Sequence, residues 1–90
     1  MTANKLFEDL GYEKINYVDN VEDFLKLLDM GFVRITFDKA KSTLLIIYDS
    51  GFSKYDYAIE QMEPEEQQAI NTRIKELGWH FRQRKYFFEE

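Results

Sequence analysis

Apolar and polar residues alternate from Val33 to Phe37. Val33, Ile35 and Phe37 fall on one side, Arg34 and Thr36 on the other, which is the period of a half-buried strand. After the polar stretch Asp38-Lys39-Ala40-Lys41-Ser42 the pattern changes, because Leu44, Leu45, Ile46 and Ile47 are apolar on both faces. A strand of that kind lies inside a sheet with cover on each side. Two runs rich in β-branched and aromatic residues, joined by a short polar loop, predict a β-hairpin from Phe32 to Tyr48.

The rest of the chain is arranged around this hairpin. Thr2 is an N-cap for a short helix with Leu6, Phe7 and Leu10 on one face, ended by Gly11. Tyr12 to Val18 reads as a weak strand. Asp19 or Asn20 then caps a second helix, with Glu22 and Asp23 in its first turn and Val21, Phe24, Leu25 and Leu28 as its apolar stripe. An irregular strand in a plain meander is the other reading of residues 20–30. Beyond the hairpin, Asp49-Ser50-Gly51 is a turn into Lys54 to Ile59, where Tyr55, Tyr57 and Ile59 alternate with Lys54, Asp56 and Ala58 as in a further strand. Glu63-Pro64-Glu65-Glu66 is the clearest helix start, with Pro at the first helical position and acids at the positive end of the helix dipole. Ile70, Ile74 and Leu77 give that helix its buried face, and Gly78 stops it. Trp79 to Phe88 alternates again and predicts a charged edge strand.

Leu10-Gly11-Tyr12, Met30-Gly31-Phe32 and Leu77-Gly78-Trp79 share one pattern, an apolar residue, glycine and an aromatic, at the end of a helical stretch. Glycine takes the left-handed position after a helix, and the residue beyond it packs back on the last turn. The predicted order α-β-α-β-β-β-α-β makes a single α+β domain over residues 1–90: two layers, with a mainly antiparallel sheet of four to five strands packed by two or three helices. The alternative topology is a ferredoxin-like βαββαβ unit with an added N-terminal helix.

Composition narrows the function. With no cysteine there is neither a disulfide framework nor a thiolate metal site, so burial alone stabilises the fold. No signal-peptide run or membrane span is visible, and a cytoplasmic protein is expected. Twelve basic and seventeen acidic side chains leave a net charge of −5, which argues against nucleic-acid binding. The acids are spread through both halves, so there is no acidic tail. Eight Phe, six Tyr and one Trp are many for so short a chain, and large rings fill a small core efficiently.

The chemistry-bearing residues do not assemble into a catalytic pattern. His80 is the only histidine, and none of Ser42, Ser50 and Ser53 lies in a Gly-x-Ser-x-Gly turn. Asp49, Asp56, Glu60 and Glu63 lack calcium-loop spacing and read as a solvated acidic rim. No glycine-rich phosphate loop is present. No catalytic residue, cofactor or metal is assigned, and the expectation is that the chain is not an enzyme. Arg82-Gln83-Arg84-Lys85 beside Tyr86 and Phe87 is the single basic patch with interleaved aromatics, but Thr43 to Asp49 does not match the RNA-binding strand signature.

Lys5-Leu6-Phe7-Glu8-Asp9-Leu10-Gly11-Tyr12, Ile35-Thr36-Phe37-Asp38-Lys39 and the stretch from Glu66-Gln67-Gln68-Ala69-Ile70 to Leu77-Gly78-Trp79 resemble small uncharacterised proteins of Gram-positive bacteria and their phages and mobile elements. In that group a helix-Leu-Gly-Tyr opening and a helix-Leu-Gly-Trp ending flank a strand-rich middle. The resemblance implies a context and no catalytic residues.

The function expected from the residues is a protein-interaction or regulatory module that binds a partner protein or a second copy of itself. Leu45, Ile47, Tyr55, Tyr57, Arg82, Arg84 and Tyr86 are the candidate contact surface. The other reading is an acidic inhibitor that imitates nucleic acid and occupies a basic site on a host nuclease or regulator.

Overall fold

Helix α1 (Ala3–Asp9) and the longer α2 (Pro64–Glu76) lie against one face of an antiparallel sheet built from β1 (Glu13–Ile15), β2 (Val21–Leu27), β3 (Phe32–Asp38), β4 (Thr43–Asp49) and β5 (Lys54–Asp56). The computed structural model describes residues 1–16, 18–81 and 87–89. The strands follow one another in the order β1-β2-β3-β4-β5, each paired with its sequence neighbour. The chain is thus the expected two-layer α+β fold. The ferredoxin-like alternative is not adopted, because β1 runs directly into β2 without a crossover helix.

Both helices end as the sequence predicts. The Tyr12 N–H donates to the Phe7 carbonyl (2.9 Å) and the Gly11 N–H to that of Glu8 (3.0 Å); the Trp79 and Gly78 N–H groups do the same to Ile74 and Lys75 (3.1 and 3.0 Å). This is the Schellman pattern, which satisfies carbonyls that the helix leaves open. The aromatic residue beyond each glycine turns back into the core. The rings of Tyr12 and Phe7 meet edge to face at 5.5 Å.

The third of these signals has a different meaning. Residues 21–27 form a strand instead of the predicted second helix, and Gly31 sits in the tight turn that joins β2 to β3, where the Leu28 N–H donates to the Gly31 carbonyl (3.0 Å). In β2 the core-facing residues are Glu22, Phe24 and Lys26, and the apolar Val21, Leu25 and Leu27 point the other way. A buried acid therefore occupies a core position and hides the alternation. Pairing on both edges, to β1 and β3, fixes the strand against a stripe that also suits a helix.

The core lies between the helices and the inner sheet face. Phe7, Phe24, Ile35, Phe37, Ile46 and Ile70 are its fully buried large side chains. The Phe7 and Phe24 rings stack at 4.1 Å, and Phe37 meets both edge-on. Ala3 and Ala69 are fully buried, and the two helices pack on each other. The strand predicted from Lys54 to Ile59 is shorter, since Ile59–Gln61 is a single 3-10 turn. The predicted final strand is a pair, β6 (His80–Phe81) antiparallel to β7 (Phe88–Glu89), which brings Phe88 onto Trp79 at 5.3 Å.

Candidate functional site

Strand alternation gives the sheet a second face, and none of the described elements lies over it. One row crosses all five strands as Glu13, Leu25, Arg34, Ile47 and Asp56. The neighbouring rows are Ile15, Asp23, Thr36 and Leu45 on one side and Leu27, Phe32, Asp49 and Lys54 on the other. Leu45 is 41 % and Leu27 75 % exposed, while Leu25, Phe32 and Ile47 are half-buried by their neighbours alone. β4 is interior to the sheet as its sequence predicts, but among the described residues only its Leu44 and Ile46 side is covered.

Arg34 stands at the centre of this face. Its guanidinium lies over the Phe32 ring, 5.8 Å from the centroid, and Leu25 and Ile47 flank it on the adjacent strands. Among the described residues it has no ion-pair partner, and its buried Nε has no hydrogen-bond acceptor. The Thr36 hydroxyl donates to Asp23, and the Gly51 N–H donates to the Asp49 carboxylate at 2.7 Å. These hydrogen bonds hold the two acids in place.

The sequence-predicted surface is divided by this geometry. Leu45 and Ile47 lie on the open face. Tyr55 pairs with Tyr48 and so shares the helix-facing side of the sheet, 53 % exposed at its edge, and Tyr57 stacks on Tyr48 at 5.2 Å. Arg82, Arg84 and Tyr86 lie outside the described residues. Leu25, Leu27 and Phe32 join the surface once residues 21–27 are a strand; alternation read through Glu22 is the signal that finds them.

A second cluster is structural. Arg73 of α2 donates from Nε to Glu22 Oε1 (2.8 Å) and from Nη2 to Oε2, and from Nη1 to Glu76 (3.1 Å). Lys39 and Lys14 stand 3.4 and 3.8 Å from Glu22 Oε2. A cleft of about 310 Å³ opens beside them. Its Lys14 and Lys39 are matched by Asp19 and Glu22, so it carries no net charge with which to select an ion. Burial pushes the Glu22 carboxyl up, but the hydrogen bonds and charge of Arg73, with the two lysines, outweigh this and hold it below its ordinary range. Two turns earlier on the same face of α2, Tyr12 donates to the buried Glu66. Burial, then that hydrogen bond, pushes the Tyr12 phenol far above its ordinary value.

These two groups make the stability of the fold depend on pH in opposite directions. The Glu22 contribution is complete above the ordinary carboxylate range and is lost as pH falls through the depressed folded value; the Tyr12 contribution is complete below pH ~10 and is lost as pH rises from there. Urea midpoints are expected to be flat between pH ~6 and ~9 and to fall on either side. Glu22→Gln will blunt the acid limb and Tyr12→Phe the alkaline one. Unaltered limbs in the two variants would assign the pH dependence to other groups.

Among the described residues no group of His, Asp and Glu is placed to hold a metal ion, and no helix is long and apolar enough to cross a membrane. His80 is exposed, and Ser50 and Ser53 are tied into the turn between β4 and β5 by hydrogen bonds to each other. No protein-family model matches the sequence, and neither a curated protein nor a solved structure is similar to it.

Proposed function

We propose that this protein is a non-enzymatic cytoplasmic interaction module whose contact surface is the open face of the sheet. The observation that carries the reading is the uncovered strip of Leu25, Leu27, Phe32, Leu45 and Ile47 around Arg34. Apolar residues grouped with an arginine and rimmed by charge are the composition of a contact surface, whereas isolated exposed apolar side chains are ordinary. A charge placed at Leu45 disturbs no core contact, because that side chain is already 41 % exposed and faces away from the helices.

Leu45→Glu is therefore expected to keep the wild-type circular dichroism and urea midpoint within ~0.5 kcal/mol while losing association. The measurement is affinity capture from a nuclease-treated lysate of the encoding organism, with wild-type and variant baits in parallel. A protein retained by the wild type and lost with Leu45→Glu supports the reading. Equal retention by both baits removes the open face from it.

The alternative of a nucleic-acid mimic draws on the carboxylates of the same face. They are separated by leucine, isoleucine and arginine instead of following a phosphate-like row, so the apolar reading is the stronger. A complex that dissolves at high salt would reverse that preference.

A further inference from the structure

The charge pattern of the open face selects among occupants. Among the described residues Glu13, Asp23, Asp38, Asp49 and Asp56 project from it against Arg34 and Lys54, which leaves a net charge of −3. Two copies placed face to face would oppose −3 to −3 across a low-dielectric contact, and like charges so placed disfavour association. The acids are mostly peripheral. In the central row the order is acid, apolar, cation, apolar, acid, with Glu13 and Asp56 on the two outermost strands.

We infer that the occupant is a cationic amphipathic helix of a partner protein, with lysines or arginines flanking its apolar stripe and one carboxylate near the stripe's middle to meet Arg34. This rests on the reading of the open face as a contact surface. Dimensions agree with it. The seven-residue inner strands are ~23 Å long at ~3.3 Å per residue, which a helix of about 15 residues matches at 1.5 Å per residue. The opposite face is already covered in this way, by the 13-residue α2 together with α1. A helix here completes a three-layer arrangement in which Arg34, unpaired among the described residues, gains its counter-charge.

The test uses the full chain and a synthetic helical peptide of about 15 residues, with leucines at helical spacing, lysines elsewhere and one central glutamate. Amide shifts in a ¹⁵N spectrum locate the contact, and fluorescence anisotropy gives Kd. Shifts confined to β2, β3 and β4 are expected. Leu45→Glu should weaken binding by about tenfold or more. The pair Glu13→Gln and Asp56→Asn should weaken it by about threefold, and the control pair Glu60→Gln and Glu65→Gln, equal in charge but off the face, should leave it unchanged. Replacing the peptide's glutamate by lysine should weaken binding to wild type but not to Arg34→Met.

Equal losses in the two amide pairs, shifts spread over α1 and α2, or no binding would overturn the inference. So would a concentration-dependent dimer in sedimentation, which identifies a second copy as the occupant. If the peptide fails while Leu45→Glu still abolishes capture of a partner, the helix chemistry falls and the contact surface stands. If neither responds, both fall.

Discussion

Gly31→Ala is expected to leave the fold marginal, with a large fall in its urea midpoint. A Cβ at this position would lie 1.8 Å from the Asp49 carbonyl oxygen and 2.6 Å from its carbon, both backbone atoms of the next strand over, which have no rotamer by which to yield. The φ of +86° adds the left-handed strain that any L side chain pays, ~1–2 kcal/mol. Strain and overlap together should exceed ~4 kcal/mol, about half or more of the ~5–10 kcal/mol that a domain of this size has. Gly78→Ala is the matched control. Its φ of +72° is also left-handed, but nothing lies within 4 Å of the added carbon, so only the strain remains. Circular dichroism and urea denaturation of the two variants separate the terms. Equal loss in both would show that the turn between β2 and β3 moves away from β4 freely.

Arg73→Leu is expected to cost ~3 kcal/mol, because it leaves the Glu22 carboxylate buried without the fork that holds both its oxygens. The loss stays below the upper end for a broken buried pair because Lys39 and Lys14 remain within 3.4 and 3.8 Å. Removing the acid as well, in Glu22→Met with Arg73→Leu, should recover at least half of the loss, since an apolar pair carries no desolvation cost. A double variant no more stable than the single one would mean that the Glu22–Arg73 pair itself stabilises the fold beyond what apolar packing offers there. Urea midpoints measured near neutral pH decide between these outcomes.

Local signals made most of this architecture readable. Pro64 followed by acids, the Leu-Gly-aromatic stops and the alternation of Val33, Ile35 and Phe37 each rest on neighbours a few residues apart, and each is found in the structure. The helix expected at residues 20–30 failed for a non-local reason. Glu22 belongs to the core face only because Arg73 reaches it from 51 residues away, and a sequence window sees an acid where a strand should be apolar. Gly31 reinforced the error, since a left-handed glycine ends a helix and closes a hairpin equally well. At the candidate surface Leu45 and Ile47 were legible because β4 is apolar on both faces. Tyr55 and Tyr57 alternate as strand residues do, but alternation alone does not say which face they take, and the sheet sends them to the opposite side.

The direct succession of β1 to β5 also shapes the order in which the molecule assembles. Each strand pairs with the next one along the chain, so the sheet grows by short hairpin closures of low entropic cost. The contact between α1 and α2 is different, because it joins the beginning of the chain to its last third, as in the Ala3 N–H that donates to Glu76. That closure is expected to come after the hairpins have shortened the distance to be spanned. Weakening the helix pair, as in Glu76→Gln, should then speed unfolding more than it slows folding, which stopped-flow chevron kinetics would show.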